Sequence, residues 1–116
     1  MLMSTGSEAI EMSIKLARKH SRRRGKADSV FVSFENAFHG RTLGAQLAGG
    51  ILGLKQWIGY EDVHFVQVPF PDGGVRCRSA DNEFAAFERV LDDAGVQPDR
   101  VCGVMTETYQ GGNSSF

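Results

Sequence analysis

The chain has 116 residues, enough for one domain and too few for two ordinary ones. Hydrophobic residues make up 41% and charged residues 23%, a globular composition that excludes a disordered chain. The net charge of −1 gives no general pull toward nucleic acid or an anionic membrane, and no apolar run nears the ~18 residues of a bilayer span.

In chain order, Ser7 to about Arg24 reads as a helix. Ile10, Ile14 and Ala17 set its apolar stripe, widened by Ala9 and Leu16; Thr5-x-x-Glu8 fits a capping box and Gly25 a stop. Ser29–Phe34 alternates β-branched and aromatic residues and predicts a strand. The loop Asn36-Ala37-Phe38-His39-Gly40-Arg41-Thr42 follows, then a short helix over Thr42–Gln46 before Gly49-Gly50. Leu52–Gly59 is a second short helix or an irregular lid. Val63–Val68 is another strand, ended by Pro69, Pro71 and the Asp72-Gly73-Gly74 turn. Asp81–Asp93 predicts an amphipathic helix with Phe84, Phe87, Val90 and Leu91 on one side, stopped by Gly95. Val101–Thr106 reads as a buried parallel strand, and the tail from Gly111 as loop. The order implies an α/β domain with a mostly parallel sheet and flanking helices.

Cys77 and Cys102 lack CxxC spacing, which argues for two free thiols in a reducing compartment and no zinc or disulfide framework. With no signal peptide in Met1–Glu8, a cytoplasmic location is expected.

Three segments carry candidate chemistry. Ser4-Thr5-Gly6-Ser7 offers backbone N–H groups at a helix N-terminus, where the dipole favours an anion; an ordinary N-cap accounts for the same residues. In the loop after the first strand, Phe38 suits stacking on a flat ring, His39 its edge, and Arg41 an anion; core packing of Phe38 and a surface bond of His39 are the plainer reading. Glu107, Tyr109 and Gln110 fall past the end of the last strand, where open α/β sheets bind ligands. The basic run Arg18–Lys26 complements a helix C-terminus and reads as a solvated helix end. His20 has no metal-ligand partner, and His64 beside Phe65 reads as structural.

Taken together, these segments resemble the class III pyridoxal-phosphate-dependent aminotransferases, the group of acetylornithine, ornithine and 4-aminobutyrate aminotransferases. Ser4–Arg18 is similar to the family's Ser-Gly-Thr/Ser-Glu-Ala-x-Glu segment, Asn36–Ala45 to its aromatic-His-Gly-Arg-Thr segment, and Glu107–Gly112 to its Glu-Pro-x-Gln-Gly-Glu segment. The resemblance implies a fold type I large domain and the cofactor pyridoxal 5'-phosphate. It assigns the cofactor phosphate to Gly6 and Ser7, ring stacking to Phe38, and pocket positions to His39 and Glu107. It implies an amino donor and a 2-oxo acid as substrates, a homodimeric parent enzyme, and neither metal, nucleic acid nor membrane as a partner.

Thr108 stands where the family has Pro, and Gly112 where it has a second Glu, which puts ω-amino-acid specificity of the usual kind in doubt. Lys15, Lys19, Lys26 and Lys55 are outside the context of the family's Schiff-base Lys, and the Asp that holds the pyridine nitrogen is also absent. Residues 1–116 are therefore expected to be part of a large domain truncated at both ends, with no catalytic residue of their own and no activity alone. The alternatives are a non-catalytic interaction module derived from such a domain and a nucleotide- or phosphate-binding α/β domain. The latter is disfavoured by the lack of Gly-x-Gly-x-x-Gly or Gly-Lys-Ser/Thr.

Overall fold

A computed structural model describes residues 2–70 and 83–111. Its elements are α1 (Gly6–Arg23), β1 (Val30–Phe34), α2 (Leu43–Ala48), α3 (Leu52–Lys55) running into a 3-10 turn (Gln56–Ile58), β2 (Phe65–Val68), α4 (Glu83–Asp93), a second 3-10 turn (Pro98–Arg100) and β3 (Val101–Val104). The expected turn at Pro71 and Asp72-Gly73-Gly74, Cys77, the helix start at Asp81 and the tail from Gly112 lie outside the described residues.

The strands form one parallel sheet in the order β2-β1-β3. The chain moves one way from β1 to β2 and back past β1 to reach β3. Right-handed crossovers then require the two connections on opposite faces. The packing agrees: Val30, Val32 and Phe34 of β1 join Val68, Leu91 and Val96 on the α4 side. Phe31 joins Ile14, Leu47, Ala48 and Phe65 on the side of α1 and α2. Central β1 is buried throughout, as a strand covered on both faces must be.

Local chemistry sets the boundaries. Thr5 and Glu8 form the expected capping box. At the other end of α1, Gly25 at φ 79° makes a Schellman motif, with Gly25 N donating to Arg22 O and Lys26 N to Ser21 O. The buried stripe of α1 is narrower than expected. Ile10, Ile14 and Ala17 face the sheet, but Ala9 is exposed and Leu16, about 200° around the helix from Ile14, is 57% exposed. On α4, Phe87, Val90 and Leu91 pack inward, whereas Phe84 is exposed and stacks on Phe87.

Strand β2 begins two residues later than its apolar pattern suggests. Asp62 Oδ1 accepts from His64 N and Asp62 O from Phe65 N, so Asp62 nucleates a turn that consumes Val63 and His64. Strand β3 ends at Val104 and is only partly buried, because it has a single neighbour among the described strands and Val104 is exposed. Its register slips by one residue between Val30 and Phe31, and Gly103 leaves room for the Phe31 ring.

The N-terminal ends of all three strands are tied by polar side chains. Arg100 Nη2 lies 2.8 Å from Asp28 Oδ2, and His64 places Nε2 3.1 Å from Asp28 Oδ1 and Nδ1 2.9 Å from Asp62 Oδ1. Burial works to raise the Asp62 pKa, but the backbone and ring of His64, with Arg18 beyond, outweigh it and hold the carboxyl below its ordinary value. A depressed carboxyl stabilises the fold above its unfolded pKa, and that contribution vanishes as pH falls through the folded value. The stability advantage of the native chain over Asp62→Asn, followed by urea unfolding from pH 6 down to 2, is therefore expected to be constant at first. It should shrink once pH drops below the ordinary 3.8.

Candidate active site

The site lies where the N-terminus of α1 meets the C-terminal ends of β1 and β3. At the helix end, Thr5 Oγ1 accepts from Glu8 N at 3.2 Å. Glu8 Oε2 in turn accepts from Ser4 N at 2.9 Å and Thr5 N at 3.1 Å. The four-residue cup read from sequence is thus half used internally. Among the described residues, the Gly6 and Ser7 N–H groups have no protein acceptor, which is what the first turn of a helix leaves over. Nothing stands within 4 Å of where a Gly6 Cβ would be, so this face of the backbone is open.

The loop between β1 and α2 is folded onto that helix end. It leaves β1 through Asn36 at φ 61°, a left-handed turn that Asn tolerates better than most residues. Gly40 sits at φ 129°, and a Cβ there would strike the Ser7 side chain and come within 3.1 Å of Ser7 Cα. Arg41 N donates to Ser7 Oγ at 3.3 Å. Two motifs more than thirty residues apart are in this way pressed together at Ser7.

From the far side, the segment after β3 holds the same loop. Glu107 Oε2 accepts from Phe38 N at 3.2 Å. Gln110, almost wholly buried, donates from Nε2 to Glu35 O at 2.7 Å. Held at both ends, the loop turns Phe38 outward and His39 inward. Phe38 is 41% exposed, so it is not a core residue. His39 is only 8% exposed, and its Nε2 has no hydrogen-bond partner among the described residues. Burial lowers the His39 pKa below 6.5, with the Glu107 charge acting against it. The ring is neutral at neutral pH.

The structure therefore gathers Gly6, Ser7, Phe38, His39 and Glu107 around one loop. Arg41 contributes its backbone N–H, and its side chain is exposed. Tyr109 is exposed, and so is Trp57, whose indole donates to buried Gln46. The residue that sequence reading passed over is Glu11. Its Oε1 accepts from Thr42 Oγ1 at 2.6 Å, Gly44 N at 2.8 Å and Ala45 N at 3.2 Å. Its legible signals are its place as the closing Glu of the Ser-Gly-Thr/Ser-Glu-Ala-x-Glu segment and a position one helical turn beyond Ser7, on the same face of α1.

An open α/β sheet with an anion-ready helix end, an exposed aromatic and a buried imidazole at its strand ends is arranged to hold a phosphate-bearing ligand with a flat ring. The family model "Aminotransferase class-III" matches residues 1–114, and the chain belongs to that family. It is 41% identical over 107 residues to the diaminobutyrate–2-oxoglutarate transaminase of Nocardia farcinica, covering 92% of this chain and 23% of that protein. It is 34% identical over 108 residues to the acetylornithine aminotransferase of Bacillus cereus, covering 93% and 22%. The chain thus spans about a quarter of the length of these relatives. In fold it is similar to an (S)-enantioselective omega-transaminase from Thermomicrobium roseum, with TM-score 0.75 and 22% identity over 95% of this chain and 26% of that one. A taurine:2-oxoglutarate aminotransferase from Bifidobacterium kashiwanohense, solved with pyridoxal phosphate and glutamate, gives TM-score 0.71 and 22% identity over 97% and 26%. Among the described residues no group of His, Cys, Asp or Glu is arranged for a metal, and no helix is long and apolar enough to cross a membrane.

Two outcomes follow from this geometry. Gly40→Ala combines a disfavoured φ with a clash against Ser7, so it should destabilise the chain by more than about 1 kcal/mol in urea unfolding. A histidine with a lowered folded pKa stabilises the fold at high pH and loses that contribution as pH falls from its unfolded value through its folded one. The stability difference between the native chain and His39→Asn should therefore be constant above about pH 6.5 and shift against the native chain below it.

Proposed function

We propose that the protein carrying this chain transfers an amino group from an amino donor to a 2-oxo acid, and that residues 1–116 supply part of its pyridoxal-phosphate site. The observation that carries this reading is the pair of unpartnered amides, Gly6 and Ser7, at the end of an 18-residue helix, pressed against the loop that exposes Phe38. The donor set suits a phosphate monoester with a planar ring attached. Two amides, the Ser7 hydroxyl and the helix dipole meet the anion, and Phe38 offers a flat apolar face. The buried, unpartnered Nε2 of His39 is the polar atom left over beside it.

When bound, the cofactor supplies the electron sink that amino-group transfer requires. This chain's own residues bind and orient. Gly6 and Ser7 anchor the anion, Phe38 fixes the plane of the ring, and His39, kept neutral by burial, adds no charge beside it. Glu107 holds Phe38 in place through its backbone N–H, and its charge acts on His39. The names of the sequence relatives support 2-oxoglutarate as acceptor and a diamino or acylated diamino acid as donor.

The active protein is further proposed to be a cytoplasmic homodimer, and residues 1–116 alone to be inactive. Supporting the latter, Lys26 donates to Asp99 O at the opposite end of the sheet and Lys55 to Gln67 Oε1, while Lys15 and Lys19 lie exposed along α1. The binding reading is tested by titrating the protein with pyridoxal phosphate and following its visible absorbance and induced circular dichroism. Saturable binding is expected, weakened about tenfold by Phe38→Ala through lost stacking area. An unchanged spectrum on titration would sink the reading.

A further inference from the structure

We propose that Glu11 is a positioning residue of the cofactor site, its carboxylate pinning the Arg41–Ala45 segment to α1 so that the Ser7 hydroxyl stays aimed at a phosphate. The inference rests on the cofactor reading above. A single oxygen, Glu11 Oε1, accepts from Thr42 Oγ1 and from the amides of Gly44 and Ala45. Thr42 is the N-cap residue of α2, yet its side chain caps no amide of that helix. Glu11, 31 residues earlier, takes over that task. The first amides of a helix lack internal acceptors and favour a negative partner, so a carboxylate suits them. The room for it is built in, because a Cβ on Gly44 would collide with the Glu11 carboxylate.

The link to the cofactor runs through Ser7. Ser7 and Glu11 stand one turn apart on the same face of α1 and receive consecutive stretches of one loop. Ser7 Oγ accepts from Arg41 N, and Glu11 holds Thr42, Gly44 and Ala45. With one of its lone pairs engaged by Arg41 N, Ser7 keeps its own proton free to donate outward. Without Glu11 the Thr42 end of the loop is released and Arg41 N leaves with it. The Ser7 hydroxyl is then free to turn back onto a carbonyl of its own chain, a common alternative for serine near a helix end.

The test compares pyridoxal 5'-phosphate with pyridoxal, which lacks the phosphate, as ligands of the full protein, by the same absorbance and circular dichroism titration. Glu11→Ala is expected to weaken pyridoxal phosphate about tenfold while changing pyridoxal less than about twofold, as loss of charge-assisted hydrogen bonds at the phosphate end would do. Glu11→Gln, which keeps an acceptor oxygen, should recover most of the loss. Thr42→Val removes only one bond and is the milder probe if Glu11→Ala fails to fold; it should show the same selectivity at smaller size. Equal weakening of both ligands would mean a general folding role and overturn the proposal, as would unchanged pyridoxal phosphate binding in a folded Glu11→Ala. If the wild-type protein binds pyridoxal but gains nothing from the phosphate, the cofactor-phosphate reading falls and this proposal with it.

Discussion

The site depends on one constraint: the loop from Glu35 to Thr42 has no ladder of its own and must be held by groups outside it. Its polar backbone is satisfied from two directions. Gln110 and Glu107, after β3, take Glu35 O and Phe38 N. Ser7 and Glu11, on α1, take Arg41 N and the Thr42 hydroxyl. Backbone bonds share the task, with Glu35 N donating to Val68 O and Gly50 N to Ala37 O, and these side chains complete the loop's path. Once the path is fixed, Phe38 has to face outward and His39 inward. The exposed aromatic and the buried imidazole are therefore consequences of the clamp and not separate inventions.

The two ends of the sheet carry contrasting chemistry. At the strand N-termini, His64 bridges Asp28 and Asp62, and Arg100 pairs with Asp28. Such partly exposed pairs contribute little each, but together they align the starts of three strands. At the C-terminal ends, the carboxylates are turned onto backbone N–H groups instead. Glu8, Glu11 and Glu107 each cap amides, Glu107 on the loop, Glu11 at the start of α2 and Glu8 on Ser4 and Thr5, and none accepts from Gly6 N or Ser7 N. That leaves a positive helix end free beside a neutral His39.

Much of this was legible in the sequence, for physical reasons that differ by element. The capping box, the Schellman glycine and central β1 are local or periodic features, and they appear where the residues place them. The class of fold followed from the order of elements, and the three segments singled out as candidates meet in space. What escaped was set by tertiary partners. Leu16 obeys the helix pattern but has no sheet beneath it, and β2 starts late because Asp62 makes a turn that β-propensity does not register. Glu11 closes the first of those segments, but its contacts exist only because the Thr42–Ala45 segment folds back across α1.

The N-terminus of α1 commits only part of its donors to the protein itself. The helix leaves its first amides without acceptors, and the protein divides the local donors. Glu8 claims Ser4 N and Thr5 N, and the Thr5 hydroxyl claims Glu8 N. This internal share fixes where the helix begins. The external share, Gly6 N and Ser7 N with the Ser7 hydroxyl, faces the loop that Glu11 and Glu107 hold. An anion entering here meets few donors, but each is already oriented, so little ordering remains to be done on binding. Glu8 and Glu11 thus act on the same site in complementary ways, one narrowing the helix end and the other positioning the loop that frames it.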